Sequence, residues 1–290
     1  MLIVYIVLLC TLAALALMAA MPVAFVPCFL FFFPLLALYS TFSGDHCAPL
    51  RHLPVVKFCL GARFGAAPRP LRRTTIYACE PHGLCCSHLS LFANPGSELN
   101  DDQCMPVHVV ADWRAFLVPL VREVYALVGI ITNLRFQMAA ALSRGDSLAL
   151  SPSGVAGKEL AVHCSDVRGG AISVLRRRRV PGFVRMAAQY NCDIVPVLSR
   201  DENVAYGKPA SDAGQPPKWW ATTSVSGRWI FFPEQAEMLV DCGEPIDCSG
   251  VDHLDDFALQ GLADKYYEQL RKLAPRGREL VVVDRTDSDK

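Results

Sequence analysis

Residues Thr74–Phe92 read TTIYACEPHGLCCSHLSLF. The first half, Thr74 to Glu80, is β-branched and aromatic, which predicts a strand. Pro81 and Gly83 stop that strand and force a turn. Between them stands His82, whose side chain titrates near neutrality when unperturbed. Cys85 to Phe92 is apolar enough to start a helix after the turn. A histidine on a tight turn between a buried strand and a helix suits a general base, and it also suits a purely structural turn.

Upstream, Met1 to Gly44 contains no Asp, Glu, Lys, Arg or His. A bilayer span needs roughly 20 apolar residues, so this run is long enough for a helical hairpin. Met21-Pro22 would mark its turn, and Pro27 and Pro34 would kink the second segment, which membrane helices tolerate. A signal peptide would need a basic start and a shorter apolar core. Arg51, Lys57, Arg63, Arg69, Arg72 and Arg73 follow the run, and basic flanks stay cytosolic. The expected organisation is a transmembrane hairpin over 1–44, a basic membrane-surface connector over 45–73, a globular domain over 74–284 and a polar tail over 285–290. The formal net charge of the 290 residues is zero, so no global field points to nucleic acid. The twelve cysteines are scattered without a CxxC pair, which excludes metal-site spacing and suggests reduced core thiols.

Downstream, strands are expected at Pro106–Ala111, Gly129–Thr132, Ser147–Leu150, Gly169–Val174, Cys192–Ser199, Glu237–Asp241 and Glu279–Val283. Helices are expected at Trp113–Leu127, capped by Asp112, and at Arg135–Arg144, Phe183–Tyr190 and Leu254–Leu273. Pro196 suggests a strand end or bulge. Alternating strands and helices predict an α/β fold whose sheet is covered on both faces. Ser147–Leu150 ends in a turn, Ser151 to Val155, whose amides around Ser153 and Gly154 could hold an oxyanion, or only turn the chain. Arg176, Arg177, Arg178 and Arg179, with Arg185, suit a phosphate clamp or a solvated loop. Arg200-Asp201-Glu202-Asn203 is a polar cluster past a strand end, where ligands of open α/β sheets gather, or a hydrophilic loop. Trp219-Trp220 and Trp229 to Phe232 suit a membrane interface or a buried strand.

Taken together, these motifs resemble the type 2 diacylglycerol acyltransferases and their monoacylglycerol and wax-alcohol relatives. The family hallmark His-Pro-His-Gly, Glu-Pro-His-Ser in plants, looks like Glu80-Pro81-His82-Gly83. The Pro-x-x-Arg-Glu segment looks like Pro119 to Glu123, and the Pro-Gly-Gly-Val-x-Glu turn looks like Pro152 to Gly157. The Gly-Phe-Val-Arg and Val-Pro-Val block looks like Gly182 to Arg185 and Val195 to Val197, with Arg179 before it. The Phe-Gly-Glu-Asn block looks like Arg200 to Asn203, and the closing segments look like Gly243 to Ile246 and Tyr266 to Leu270. The chain departs from the pattern at Glu80, at Gly157 (with Glu159 two residues later), and at Arg200-Asp201.

The resemblance implies a glycerolipid-acyltransferase-like mixed sheet flanked by helices, with an N-terminal transmembrane hairpin. It implies acyl transfer from acyl-CoA to diacylglycerol or a related lipid alcohol at the endoplasmic reticulum membrane, with the catalytic domain facing the cytosol and lipid-droplet association open. His82 would be the base and Glu80 its neighbour, with Gly83, Ser153 and Gly154 as turn support. Arg176 to Arg179 and Arg185 would meet the CoA phosphates, and Glu202, Asn203 and Glu159 would add polar groups. The expected partners are acyl-CoA, the lipid acceptor and the bilayer, with a homo-oligomer open. No metal or bound cofactor is expected, acyl-CoA being a co-substrate. A non-catalytic acyl-CoA- or lipid-binding protein is the expectation from another class.

Overall fold

The computed structural model describes residues 62–66, 73–82, 86–93, 106–117, 122, 125, 129–154, 156–157, 172–177, 179–200, 224–225, 228–229 and 238–285. The expected hairpin over 1–44 lies outside these residues, as do Gly83, Glu159, Arg178, Glu202, Asn203 and the Trp219-Trp220 pair. Among the described residues no helix is long and apolar enough to cross a membrane.

A seven-stranded mixed sheet organises the domain. Its strands are β1 (Ala62–Ala66), β2 (Thr75–Glu80), β3 (Val107–Ala111), β4 (Ile131–Thr132), β5 (Ser147–Leu150), β7 (Asp193–Arg200) and β10 (Met238–Cys242), in the order β1-β10-β7-β2-β5-β3-β4. The five strands from β7 to β4 are parallel, and β10 runs antiparallel to β7 with β1 parallel to β10. β6 (Ile172–Arg177) and β11 (Leu280–Arg285) pair in a separate parallel ribbon. The short β8 (Ser224–Val225) and β9 (Arg228–Trp229) form a hairpin.

β2 is buried at every position because the sheet is covered on both faces. Ile76 and Ala78 join Leu148, Ile194 and Leu198 in one core cluster, and Tyr77 and Cys79 join Val109, Val195 and Val197 in the other. The period of two in a strand puts Glu80 on the Ala78 face. Two helices of that core are α3 (Gly182–Gln189) and α4 (Asp256–Leu273). α4 starts where the Asp255 side chain accepts from the Phe257 and Ala258 amides. It buries Leu259, Leu262, Ala263, Tyr266, Tyr267 and Leu270, the stripe expected of one helical face. The other face is closed by Leu89, Leu91 and Phe92, from a 3-10 turn at Ser87–Leu89 and a single helical turn, α1 (Ser90–Ala93). α2 (Arg135–Ser143) leads into β5.

Four expectations change. The connector 45–73 contains β1, which adds an edge strand beside β10. Pro196 lies inside a central strand rather than at its end. A strand residue's N–H and C=O share a side, and the Pro196 carbonyl accepts from the Gly243 amide, just where β10 gives out, at 2.8 Å. The missing N–H therefore falls beyond the β10 ladder. β6 extends through Arg176 and Arg177, so the arginine run begins in a strand and not in a loop. β11, expected only as a strand over Glu279–Val283, runs to Arg285 and pairs with β6 outside the main sheet.

Candidate active site

Parallel sheets place ligands outside the carboxyl ends of their strands. At that edge stand Glu80 of β2, Leu150 of β5, Ala111 of β3, Thr132 of β4 and Arg200 of β7. β2 pairs with β5 in register through Ala78 and Leu150, so Glu80 lies beside the turn that follows β5. This places the two turns singled out in the sequence next to each other.

Contact between them runs through Glu80 and Ser153. The Ser153 amide donates to Glu80 Oε1 at 2.9 Å and its hydroxyl donates to Oε2 at 2.8 Å. The His82 main-chain amide also faces the carboxyl. Glu80 is 1% exposed. Burial pushes its carboxyl up to about 8, against these three hydrogen bonds, which favour the charged form. Tyr266 lies on the same side of the sheet, and its hydroxyl donates to the Ala78 carbonyl at 3.3 Å. Burial first, then the neighbouring Glu80, hold that phenol well above its ordinary range.

His82 follows a cis Glu80–Pro81 peptide and is half-buried. Its carbonyl accepts from the Cys86 thiol at 3.1 Å, which closes the turn on the helical side. The Ser151–Gly154 turn is closed by the Gly154 amide donating to the Ser151 carbonyl at 3.2 Å, with Gly154 at a φ of +53°. The Gly157 amide then donates to the Ser153 carbonyl. A Cβ at Gly157 would run into Ser153 Oγ and stand 2.9 Å from His82 Cβ. Residue 157 therefore touches both turns.

The amides considered for an oxyanion are used within the fold: Ser153 donates to Glu80 and Gly154 to Ser151. Arg176 pairs with Asp264 at 2.6 Å and stacks over Tyr267. Arg185 pairs with Asp256 at 2.6 Å and donates to the His253 carbonyl. These two arginines tie β6 and α3 to the last helix and its entry. Arg179 is exposed just before α3. Arg200 pairs with Asp241 across β7 and β10, and a Cβ at Gly65 of β1 would collide with that pair. Cys79, Cys192 and Cys248 are buried thiols, and burial first raises the Cys192 thiol to about 11 and the Cys248 thiol to about 12.

Sequence reading missed the Ser153–Glu80 clamp. Both residues were singled out, each at a strand end, but the signal that joins them is that β2 and β5 are neighbours.

The family profile described as Diacylglycerol acyltransferase matches residues 70–288. The chain belongs to the diacylglycerol acyltransferase family. It is similar to Diacylglycerol O-acyltransferase 2 of Xenopus tropicalis, 30% identical over 151 residues, which is 51% of this chain and 40% of the frog protein. Diacylglycerol O-acyltransferase 2 of Dictyostelium discoideum is 25% identical over 224 residues, covering 70% of this chain and 65% of that protein. The matched part thus spans less than two thirds of these relatives. Among solved structures, the 1-acyl-sn-glycerophosphate (LPA) acyltransferase PlsC from Thermotoga maritima aligns over 86% of this chain and 91% of its own. Its TM-score is 0.42 and its identity 14%.

Proposed function

We propose that this chain is an acyl-CoA:diacylglycerol O-acyltransferase that makes triacylglycerol, with His82 as the general base. The observation that carries this reading is the placement of His82 on the turn after β2, at the carboxyl edge of the parallel strands, inside the span matched by the family.

In the proposed reaction, the His82 imidazole takes the proton of the acceptor hydroxyl as the oxygen attacks the thioester carbonyl. The tetrahedral oxyanion collapses, the C–S bond breaks, and the imidazolium returns the proton to the CoA thiolate. An ester and CoA–SH leave, and His82 is neutral again. Glu80 acts from behind, fixing the main chain that carries the ring. Residues 1–44 anchor the chain in the endoplasmic reticulum membrane, so that the lipid acceptor and the acyl chain arrive from the bilayer. Arg200 has its charge answered by Asp241, which is compatible with an uncharged acceptor.

The test uses membranes from a host that lacks neutral-lipid synthesis, expressing the wild type or His82→Ala. Labelled acyl-CoA is supplied with diacylglycerol, monoacylglycerol or a long-chain alcohol. Triacylglycerol from the wild type alone is the expected result. A wax ester or diacylglycerol as the main product would move the acceptor. Binding of acyl-CoA without any ester from either protein would overturn the enzyme reading.

A further inference from the structure

Ser153, Glu80 and Gly157 meet at one point, immediately behind His82. Ser153 reaches Glu80 with both its amide and its hydroxyl, at 2.9 and 2.8 Å. Glu80 also faces the His82 main-chain amide. Gly157 leaves open the volume in which Ser153 Oγ lies, and a Cβ there would also stand 2.9 Å from His82 Cβ. Ser153 is 2% exposed, so no solvent competes for its hydroxyl. Glu80 takes the plant-type letter of the hallmark and Gly157 departs from the turn motif, and the two are compatible with Ser153 between them. An acid on the strand needs donors, a serine on the turn supplies two, and a glycine one helical turn later leaves room for the serine.

We propose that Ser153 is a positioning residue for His82, acting through Glu80, and that Gly157 has no side chain because this clamp occupies its space. The proposal rests on the reading of His82 as the base and extends it to the neighbouring strand. Ser153 touches no reacting atom. It holds the strand end so that the imidazole meets the acceptor hydroxyl in line with the thioester, and a misplacement of about 1 Å at such a site costs on the order of 10²-fold in rate.

The experiment measures kcat and KM for acyl-CoA, per folded full-length protein in membranes, for the wild type, Ser153→Ala, Ser153→Thr, Ser153→Gly, Gly157→Ala and Ser153→Gly/Gly157→Ala. Ser153→Ala is expected to lower kcat by about 10–100-fold with KM unchanged. Ser153→Thr, which keeps the hydroxyl, recovers part of that loss. Gly157→Ala is expected to be more damaging where Ser153 is present than where residue 153 is Gly, since the collision with Oγ is then gone and only the close approach to His82 Cβ remains. A Ser153→Ala protein with wild-type kcat, or a Gly157→Ala effect of equal size in both backgrounds, overturns the proposal. His82→Ala separates the two readings. Loss of activity in that variant beside an unaffected Ser153→Ala removes the clamp alone, whereas an active His82→Ala removes the base reading whatever Ser153 does. If Ser153→Ala fails to accumulate folded protein, Ser153→Thr and the double variant still decide the matter.

Discussion

The two ends of the parallel strands treat their acids differently. At the amino end, Asp146 just before β5 meets His108 at 3.2 Å and Arg144 at 3.0 Å. These partners hold its carboxyl below the usual range although partial burial pushes the other way. Asp247 meets Arg73 at 3.1 Å and two donors from Ser249, and with those hydrogen bonds it falls to about 2. Asp193 is the exception at this end, raised by burial despite Arg73 at 3.0 Å. At the carboxyl end, Glu80 meets a serine and two main-chain amides, all neutral, and its carboxyl rises to about 8. An ion pair at this end, Arg200–Asp241, lies between β7 and β10. Charge pairs fasten strand starts, while the carboxyl end keeps its acid among neutral donors.

The largest effect expected from this contrast separates the two histidines. His82→Ala should lower acyl transfer by about 10²–10⁴-fold while leaving thermal stability close to wild type, because the ring is half-buried at a turn. His108→Ala should do the reverse. His108 is 5% exposed and bridges the Gly129 carbonyl and Asp146, both at 3.2 Å. Its loss strands buried polar groups and should cost about 1–3 kcal/mol in stability. Turnover per folded molecule should not change. Thermal unfolding and ester formation on the same preparations check both halves. A His108 variant that is folded yet inactive would break the division between the two ends.

Glu80→Gln sharpens the same contrast through pH. Burial pushes the folded carboxyl up to about 8, whereas in the unfolded chain it keeps the ordinary value of about 4.5. Between these limits the folded protein holds a proton that the unfolded chain has released. The contribution to stability is therefore full below the lower limit and is lost as pH rises through the upper one. Wild-type stability should fall from pH 5 to 8, and Glu80→Gln should flatten that decline, since an amide does not ionise. Melting curves at intervals across this window provide the check. Parallel slopes in the two proteins would mean that Glu80 is not the titrating group.

Short continuous runs of β-branched, aromatic and other apolar residues made β2, β3, β5, β7 and β10 legible to within a residue or two, and β2 showed its turn through Pro81 and Gly83. The histidine was legible because it stands on that turn. Adjacency was not. Neither propensity nor motif spacing states that β2 pairs with β5 and β7 while β3 lies beyond β5, and the Glu80–Ser153 contact depends on that order. The strand under the arginines was hidden for a related reason. A run of like charges reads as a loop, but Arg176 is matched by Asp264, 88 residues later, on a helix whose packing against β6 no local pattern announces. β1 was hidden by glycine and alanine in ARFGA, which have low strand propensity. Its glycine is needed because Asp241 and Arg200 press against that position.

The smallest effect concerns Arg73, which joins the start of β2 to Asp193 on β7 and to Asp247, and donates to the Asn191 carbonyl at 3.2 Å. Its side chain is 45% exposed and that of Asp247 64%, so water screens the pair. Arg73→Met should cost only about 0.5–1 kcal/mol, and less in high salt, with no change in turnover. The more buried Asp193 then loses the charge that opposes its desolvation, and it should take up its proton at a higher pH than in the wild type. Melting curves at low and high salt measure the first effect. A loss well above this range that salt does not reduce would show that the amino end depends on Arg73 for geometry rather than for charge.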